Sequence, residues 1–378
     1  MASHMWTFVW AAILVARTYA WDFVSPTELE SRIKAQDTLA VAFVSPSEEN
    51  SGALETPWEE AASVSPFPFL SIDCTADDQP CRPYDSFVHP SVKLIKDAHT
   101  IATYQGPRRA SAISAWAARV QRPSVTAVSA ESLAAFQGID ETVFVAYVDS
   151  TDADSRSAFE AIASGYNQEF TFGVHVLAEQ RNTEDLETPS VKCYRTTDGD
   201  TKTLTVPFDQ KSLDTFVKEA SRPIIGELLP HTHQRFLDRG WPMVYVFAVT
   251  ETERAELRDT LKKMARSYYE SLTMVTVDPL DFPELPAKLG LEAGSFPAGA
   301  VHQLSNNRVF PYPGGQPITP RALQQWGLDV WQGRVQPWQP AGATPAPKQD
   351  APGRIKASRK VSMRSFPGMK INVGRDEL

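Results

Sequence analysis

Three small groups of side chains in this 378-residue chain could do chemistry. The first is the thiols, Cys74, Cys81 and Cys193. Disulfide exchange needs a thiolate of lowered pKa with a partner thiol in reach, which a Cys-x-x-Cys at a helix start provides. Here Cys74 and Cys81 enclose six residues, and Cys193, in a strand-like run, reads as a small buried hydrophobe. The second group is Asp149, Asp152 and Asp154. These carboxylates suggest calcium, but the glycine and closing glutamate of an EF-hand loop are missing. Aspartates commonly cap helices, so the sequence predicts a capped, solvated turn. The third is His231 and His233, which lack further ligands nearby and read as a surface pair at a helix start. No metal site and no cofactor is expected.

The elements that must position these groups repeat. An X-Pro step feeds a short apolar strand three times: His89-Pro90-Ser91-Val92, Thr188-Pro189-Ser190-Val191 and Phe296-Pro297-Ala298-Gly299. The prolines Pro90, Pro189 and Pro297 lie 99 and 108 residues apart, roughly one domain length each time. Before each copy comes an apolar strand, within Phe69–Asp73, Phe170–Leu177 and Leu272–Asp278; a turn, a second strand and an amphipathic helix follow. Proline at a strand's first residue costs no ladder bond, and X-Pro is the step at which a cis bond is cheap. The rival reading is three unrelated strand-edge prolines. The simpler one is the cis-proline of a thioredoxin-type βαβαββα unit, used three times. The predicted fold is therefore α/β, with three tandem thioredoxin-like domains at residues 21–122, 123–223 and 224–335. A disordered tail, rich in Pro, Ala, Gly and charge, is expected at 336–378. In the first domain Ser25 and Pro26 mark a helix start and Thr38–Val44 a central strand; in the second, Thr142–Val148 leads to a helix over Arg156–Tyr166.

The ends of the chain concern location. Trp6–Val15 is an apolar run too short to span a bilayer comfortably, and Thr18-Tyr19-Ala20 offers small residues for cleavage, so residues 1–20 read as a signal peptide. Met1–Met5 carries no Lys or Arg, which leaves a start at Met5 open. No later run is long and apolar enough to span, so no membrane insertion of the mature chain is expected. The last residues, Arg375, Asp376, Glu377 and Leu378, match a Lys/His-Asp-Glu-Leu retention signal with Arg in the basic place. The predicted compartment is the endoplasmic reticulum lumen, with the retention receptor as one partner. A net charge of −9, from 46 acidic and 37 basic residues, is too mild for a nucleic-acid partner or a dense calcium store.

The residues after the first central strand carry a resemblance. Ser45-Pro46-Ser47-Glu48-Glu49-Asn50-Ser51-Gly52-Ala53-Leu54 and the downstream Trp58-Glu59-Glu60-Ala61-Ala62 resemble the active-site stretch of the protein disulfide isomerase family, Ala-Pro-Trp-Cys-Gly-His-Cys-Lys-x-Leu with Tyr-Glu-Glu-Ala-Ala. Pro46, Ala53, Leu54 and Glu59–Ala62 match; Glu48 stands at the nucleophilic cysteine, Ser51 at the resolving one and Ser47 at the tryptophan. Carboxylate and hydroxyl cannot exchange disulfides, so the resemblance implies a thioredoxin frame without its chemistry. Fungal members carry a cysteine pair like Cys74 and Cys81 after the second strand, which implies a loop staple in an oxidising compartment; a displaced redox pair is the alternative. Arg108 sits at the family's arginine and is expected to pair with a carboxylate, Glu48 being the candidate. The second domain resembles a non-catalytic b module. The third, through Gly240–Leu257 and Phe296–Val301, resembles the fungal b′ domain, which offers unfolded polypeptide an apolar groove. The positions that the likeness places on such a groove are Phe236, Val244, Val246, Leu257, Leu261, Leu291 and Phe296. In the full-length isomerases a second catalytic domain follows.

The expected function is a redox-inactive member of this family that binds unfolded or partially folded secretory proteins through the third domain, or serves another ER enzyme as scaffold. The alternatives are an oxidoreductase working through Cys74 and Cys81, and a calsequestrin-like calcium-binding protein.

Overall fold

The computed structural model describes residues 20–35, 38–75, 81–84, 86–97, 99–177, 188–205 and 208–340. The first domain begins with α1 (Pro26–Ala35), whose start is capped by the Ser25 hydroxyl accepting the Glu28 N–H at 3.2 Å. Then come β1 (Thr38–Val44), α2 (Glu49–Gly52), α3 (Glu55–Val64), β2 (Phe69–Asp73), β3 (Ser91–Lys96), β4 (His99–Thr103) and α4 (Ala110–Val120). The strand order is β2-β1-β3-β4, parallel between β1 and β2 and antiparallel elsewhere. Strand β1 is apolar on both sides because both faces are covered. Ala40, Ala42 and Val44 meet Trp58 of α3 and Ile113 and Trp116 of α4. Leu39, Val41 and Phe43 meet Leu29 and Ile33 of α1. Alternate residues of one strand thus serve two cores.

The second domain comprises β5 (Thr126–Ala127), α5 (Leu133–Phe136), β6 (Thr142–Asp149), α6 (Ala153–Tyr166), β7 (Thr171–Leu177), β8 (Ser190–Arg195), β9 (Asp200–Leu204) and α7 (Gln210–Ala220), with order β5-β7-β6-β8-β9. Helix α6 starts three residues ahead of the sequence expectation, because Asp152 caps it by accepting the Ser155 N–H at 3.0 Å. The third domain repeats the plan with β10 (Gly226–Leu228), α8 (His233–Asp238), β11 (Met243–Phe247), α9 (Glu251–Ser267), β12 (Thr273–Val277), α10 (Leu285–Lys288), β13 (Ala298–Gln303), β14 (Arg308–Pro311) and α11 (Pro320–Trp331), in the order β10-β12-β11-β13-β14. In all three domains the central strand is followed by a helix and flanked by a parallel strand on one side and an antiparallel one on the other. The fold is three tandem thioredoxin-like α/β domains.

The peptide bonds His89-Pro90, Thr188-Pro189 and Phe296-Pro297 are all cis, each at the entry to the antiparallel neighbour of a central strand. Beyond α11, the Trp338 N–H donates to the Val309 carbonyl at 2.8 Å, so Trp338 lies along the free edge of β14. Among the described residues no helix is long and apolar enough to cross a membrane. Residues 1–19 of the expected signal segment and the four retention residues Arg375–Leu378 lie outside the described residues.

Candidate functional site

In a thioredoxin frame, chemistry would sit where the central strand turns into the next helix, facing the cis-proline. In the first domain β1 ends at Val44, and Ser45 and Glu48 lead into α2. Ser51 is fully buried, and its hydroxyl accepts the Ser45 N–H at 3.0 Å. Its oxygen therefore satisfies a backbone donor left at the strand's end. Glu48 is exposed, and its carboxylate makes no cap to α2. Register places Ser91 opposite Phe43, so cis-Pro90 stands beside this turn. Just before it, Phe87 and Val88 are 69% and 79% exposed, an apolar pair in the open.

Cys74 and Cys81 are joined in a disulfide and both are buried, among Leu70, Ile72 and Phe43. They lie beyond β2, in the core packed under α1, on the opposite side of the sheet from Trp58. Cys193 is a buried free thiol on β8; burial pushes it up to about 12, so it stays protonated at neutral pH. In the second domain Asp152 caps α6, and Asp149 accepts the Thr188 hydroxyl at 3.2 Å. His233 stands edge-on to Phe282, with ring centroids 5.5 Å apart.

The seven third-domain positions fall on two faces of one sheet. Val244, Val246 and Leu261 are buried in the core under α9 and α11, with Leu257 packed against it. Phe236, Leu291 and Phe296 sit half-buried on the other face, around Tyr245 and Phe247. Residues 244 and 246 alternate with 245 and 247 along β11, so no one surface holds all seven. Phe296 packs on Phe247 at 6.1 Å, and Val249, just past β11, is exposed.

A constellation that sequence reasoning missed joins the domains. The expectation that Arg108 pairs with Glu48 is corrected: Arg108 reaches the third domain, with Nη2 at 2.7 Å from Asp278 Oδ2 and Nη1 at 2.7 Å from Asp281 Oδ1. The reason is the path of the loop before α4. Gly106 lets the Tyr104 ring fold over it, since an added Cβ would lie 2.6 Å from the Tyr104 hydroxyl oxygen, and that hydroxyl donates to the Pro107 carbonyl at 2.6 Å. The loop is thereby directed toward the end of β12. Next to it Arg109 meets Glu141 of the second domain at 2.5 Å and Glu227 of the third at 3.1 Å, with Glu251 at 3.7 Å. One guanidinium thus links all three domains.

Arg254 and Arg258, both on α9, complete the network. Arg254 lies 3.1 Å from Asp278, and Arg258 2.8 Å from Glu227 and 2.5 Å from Glu251. Burial holds the Glu227 carboxyl above the usual carboxylate range, opposed by Arg109 and Arg258. Burial likewise raises Asp281, opposed by Arg108. A second joint ties the second domain to the third: Arg195 pairs with Asp198 at 3.1 Å, and Asp198 accepts the Ile224 N–H at 2.9 Å. Beside these joints is a cavity of about 1130 Å³ with walls from all three domains, among them Trp116, Phe170 and Phe236. Its lining carries nine basic and nine acidic residues, so it favours neither anion nor cation.

Comparison with known proteins places this geometry. A family model described as a thioredoxin-like domain matches residues 148–327. The protein disulfide-isomerase of Humicola insolens is 28% identical over 333 residues, covering 87% of this chain and 66% of that protein. That of Aspergillus niger is 26% identical over 332 residues, covering 86% and 64%. Over most of its length the chain is similar to protein disulfide isomerases. It spans less than two thirds of the length of these curated relatives. Among solved structures, human ERp44 form II is similar with a TM-score of 0.39 and 15% identity, covering 87% of this chain and 92% of that one. The bb fragment of ERp72 gives 0.44 and 15%, covering 57% and 100%. At the three strand-to-helix turns Ser51 accepts the Ser45 N–H, Asp152 and Thr250 cap their helices, and no cysteine is present.

Proposed function

We propose that this isomerase-like chain works without thiol exchange, in the endoplasmic reticulum lumen, by holding unfolded or partially folded secretory proteins through non-covalent apolar contact. The observation that carries this reading is Ser51. At the turn facing cis-Pro90 the family's reaction needs a thiol free to attack a mixed disulfide. The side chain there is a buried hydroxyl whose oxygen is bonded to the Ser45 N–H. Cys74 and Cys81 are buried together away from that turn, so they act as a staple of the loop after β2. The location rests on Arg375–Leu378, which would be read by a retention receptor.

Client contact is assigned to the third domain, at Phe296, Leu291 and Phe236, with Val249 exposed just past the end of β11. Val244, Val246 and Leu261 support that surface from the core and do not touch a client. Fully burying one such side chain contributes about 1.5–3 kcal/mol, so a few contacts suffice for transient holding. The same surface would serve in a scaffold for another ER enzyme.

The test measures two activities on the mature chain. Reduction of insulin disulfides in the presence of dithiothreitol is expected to match that of the C74A/C81A variant. Suppression of aggregation of a reduced, denatured client is expected to persist in that variant and to fall in F296S. Insulin reduction above the background and abolished by C74A/C81A would assign the chain to the oxidoreductases instead. Absence of any aggregation suppression would remove the holding function.

A further inference from the structure

We propose that Arg108 and Arg109 are a latch, and that the third-domain face they occupy is a receptor for two adjacent arginines of a partner polypeptide. The charges on that face do not balance by themselves. Glu227, Glu251, Asp278 and Asp281 bring four carboxylates, whereas Arg254 and Arg258 bring two guanidiniums. The two missing positive charges come from the first domain, 170 and 118 residues away in sequence at the Arg108–Asp278 and Arg109–Glu227 contacts. Among the described residues Arg108 is the ion-pair partner of Asp281, and the Arg108 side chain is only 11% exposed. Withdrawal of the first domain therefore leaves a face carrying two net negative charges, with Asp281 short of its Arg108 partner. Such a face attracts a replacement pair of cations by charge complementarity.

The geometry selects arginine over lysine. Arg108 spreads its two Nη atoms onto two different aspartates at 2.7 Å each, and Arg109 presents separate nitrogens to Glu141 and Glu227. A planar fork serves two carboxylates at fixed spacing, and an ammonium, as a point charge, does not. The pair is also held ready. The Tyr104–Pro107 bond fixes the loop, and the Arg109 N–H donates to the Pro107 carbonyl at 2.7 Å. In the closed arrangement the chain's own arginines fill the face. A polypeptide bearing Arg-Arg competes with them, neutralises the same carboxylates and releases the first domain from the third. This mechanism does not depend on whether the chain holds unfolded clients.

The experiment titrates a fluorescein-labelled Gly-Arg-Arg-Gly peptide, capped at both ends, into the full mature chain at low salt and follows anisotropy. The R108Q/R109Q variant is expected to bind at one site about tenfold or more tighter than the unsubstituted protein, because the competing cations are gone. Adding D278N and D281N to that variant is expected to abolish binding, and a citrulline-citrulline peptide is expected not to bind. Equal affinity in both proteins, absence of binding to R108Q/R109Q, or binding indifferent to D278N/D281N overturns the proposal. Should R108Q/R109Q not fold, hydrogen exchange on the unsubstituted protein decides. Millimolar Arg-Arg peptide is then expected to speed exchange at residues 104–109, and unchanged exchange there overturns the latch.

Discussion

The turns that follow β1 and β11 occupy the same place in their sheets and have been put to different use. After β1, the backbone donor of Ser45 is satisfied by a side chain six residues on, and the helix is broken into α2 and α3 around Leu54. The cis-proline beside it is approached by two exposed apolar residues, Phe87 and Val88. After β11, Thr250 and Glu253 close a reciprocal capping box, and α9 runs unbroken for 17 residues. There the residue before the cis-proline, Phe296, is folded onto Phe247. The first domain's turn carries a short helix, an exposed Glu48 and a buried Ser51. The third has become an ordinary helix start over a large apolar core. The contrast teaches that frame and turn vary separately: the central-strand pairing and the cis-proline persist in both, while the side chains that satisfy the backbone at the turn differ.

The largest effect should come from the third domain's core. Leu261 is fully buried between β11 and α11, so Leu261→Ala is expected to cost about 3 kcal/mol through lost burial and a residual cavity. Phe296→Ser, at a half-buried position, should cost clearly less and leave β11–β13 protected from hydrogen exchange. If both substitutions unprotect the sheet equally, the division of the third domain into core and contact surface is wrong.

Next is the staple. Removing the Cys74–Cys81 link by C74A/C81A should cost about 2–2.5 kcal/mol, the chain entropy of a short closed loop. The loss should be confined to the first domain, read as faster exchange in β1 and β2 with the third domain unchanged. A loss spread over all three domains would mean that the first domain's stability governs the whole chain through Arg108 and Arg109.

Much of the frame was legible in the sequence, because it is written in local signals. Pro90, Pro189 and Pro297 mark strand entries, and Thr38–Val44 is apolar at every position but the first, as a strand covered on both faces must be. The site was legible only in part. Ser51 and Glu48 could be placed at the turn, but the hydrogen bond from Ser45 depends on how the strand end meets the helix. The groove list came from a family likeness, and the two-residue period of β11 puts 244 and 246 on the face opposite Phe296. The Arg109 junction had no local signal at all. Its partners Glu141, Glu227 and Glu251 look like unremarkable surface carboxylates until three domains are brought together.

Ser51→Ala tests the first turn directly. It removes the acceptor of a buried N–H that water cannot reach, so a cost of about 1–3 kcal/mol is expected, seen as faster exchange of the Ser45 amide and a lower first-domain melting midpoint. Ser51→Cys should cost less, since a thiol still accepts weakly. If Ser51→Ala is neutral, the hydroxyl is a bystander, and its bond to the Ser45 N–H does not hold the turn.

The smallest effect belongs to the matching place in the third domain. Thr250 accepts the Glu253 N–H at 3.2 Å, and the Glu253 carboxylate accepts the Thr250 N–H at 3.2 Å. Thr250→Ala deletes one half of this box at an exposed site, where water can take over the freed donor. About 1 kcal/mol is therefore expected, toward the middle of the range for helix caps. Glu253→Gln should cost less still, because an amide oxygen can keep the reciprocal bond. The ordering matters more than either value. The same kind of bond, side-chain oxygen to backbone N–H at a strand-to-helix turn, should be worth more at Ser51 than at Thr250, because only at Ser51 does burial deny the donor a substitute partner. Measured side by side by denaturant titration with exchange read at each turn, a larger loss for Thr250→Ala would invert that ordering. The first turn would then be held by its neighbours Leu54 and Trp58 and not by its capping hydroxyl.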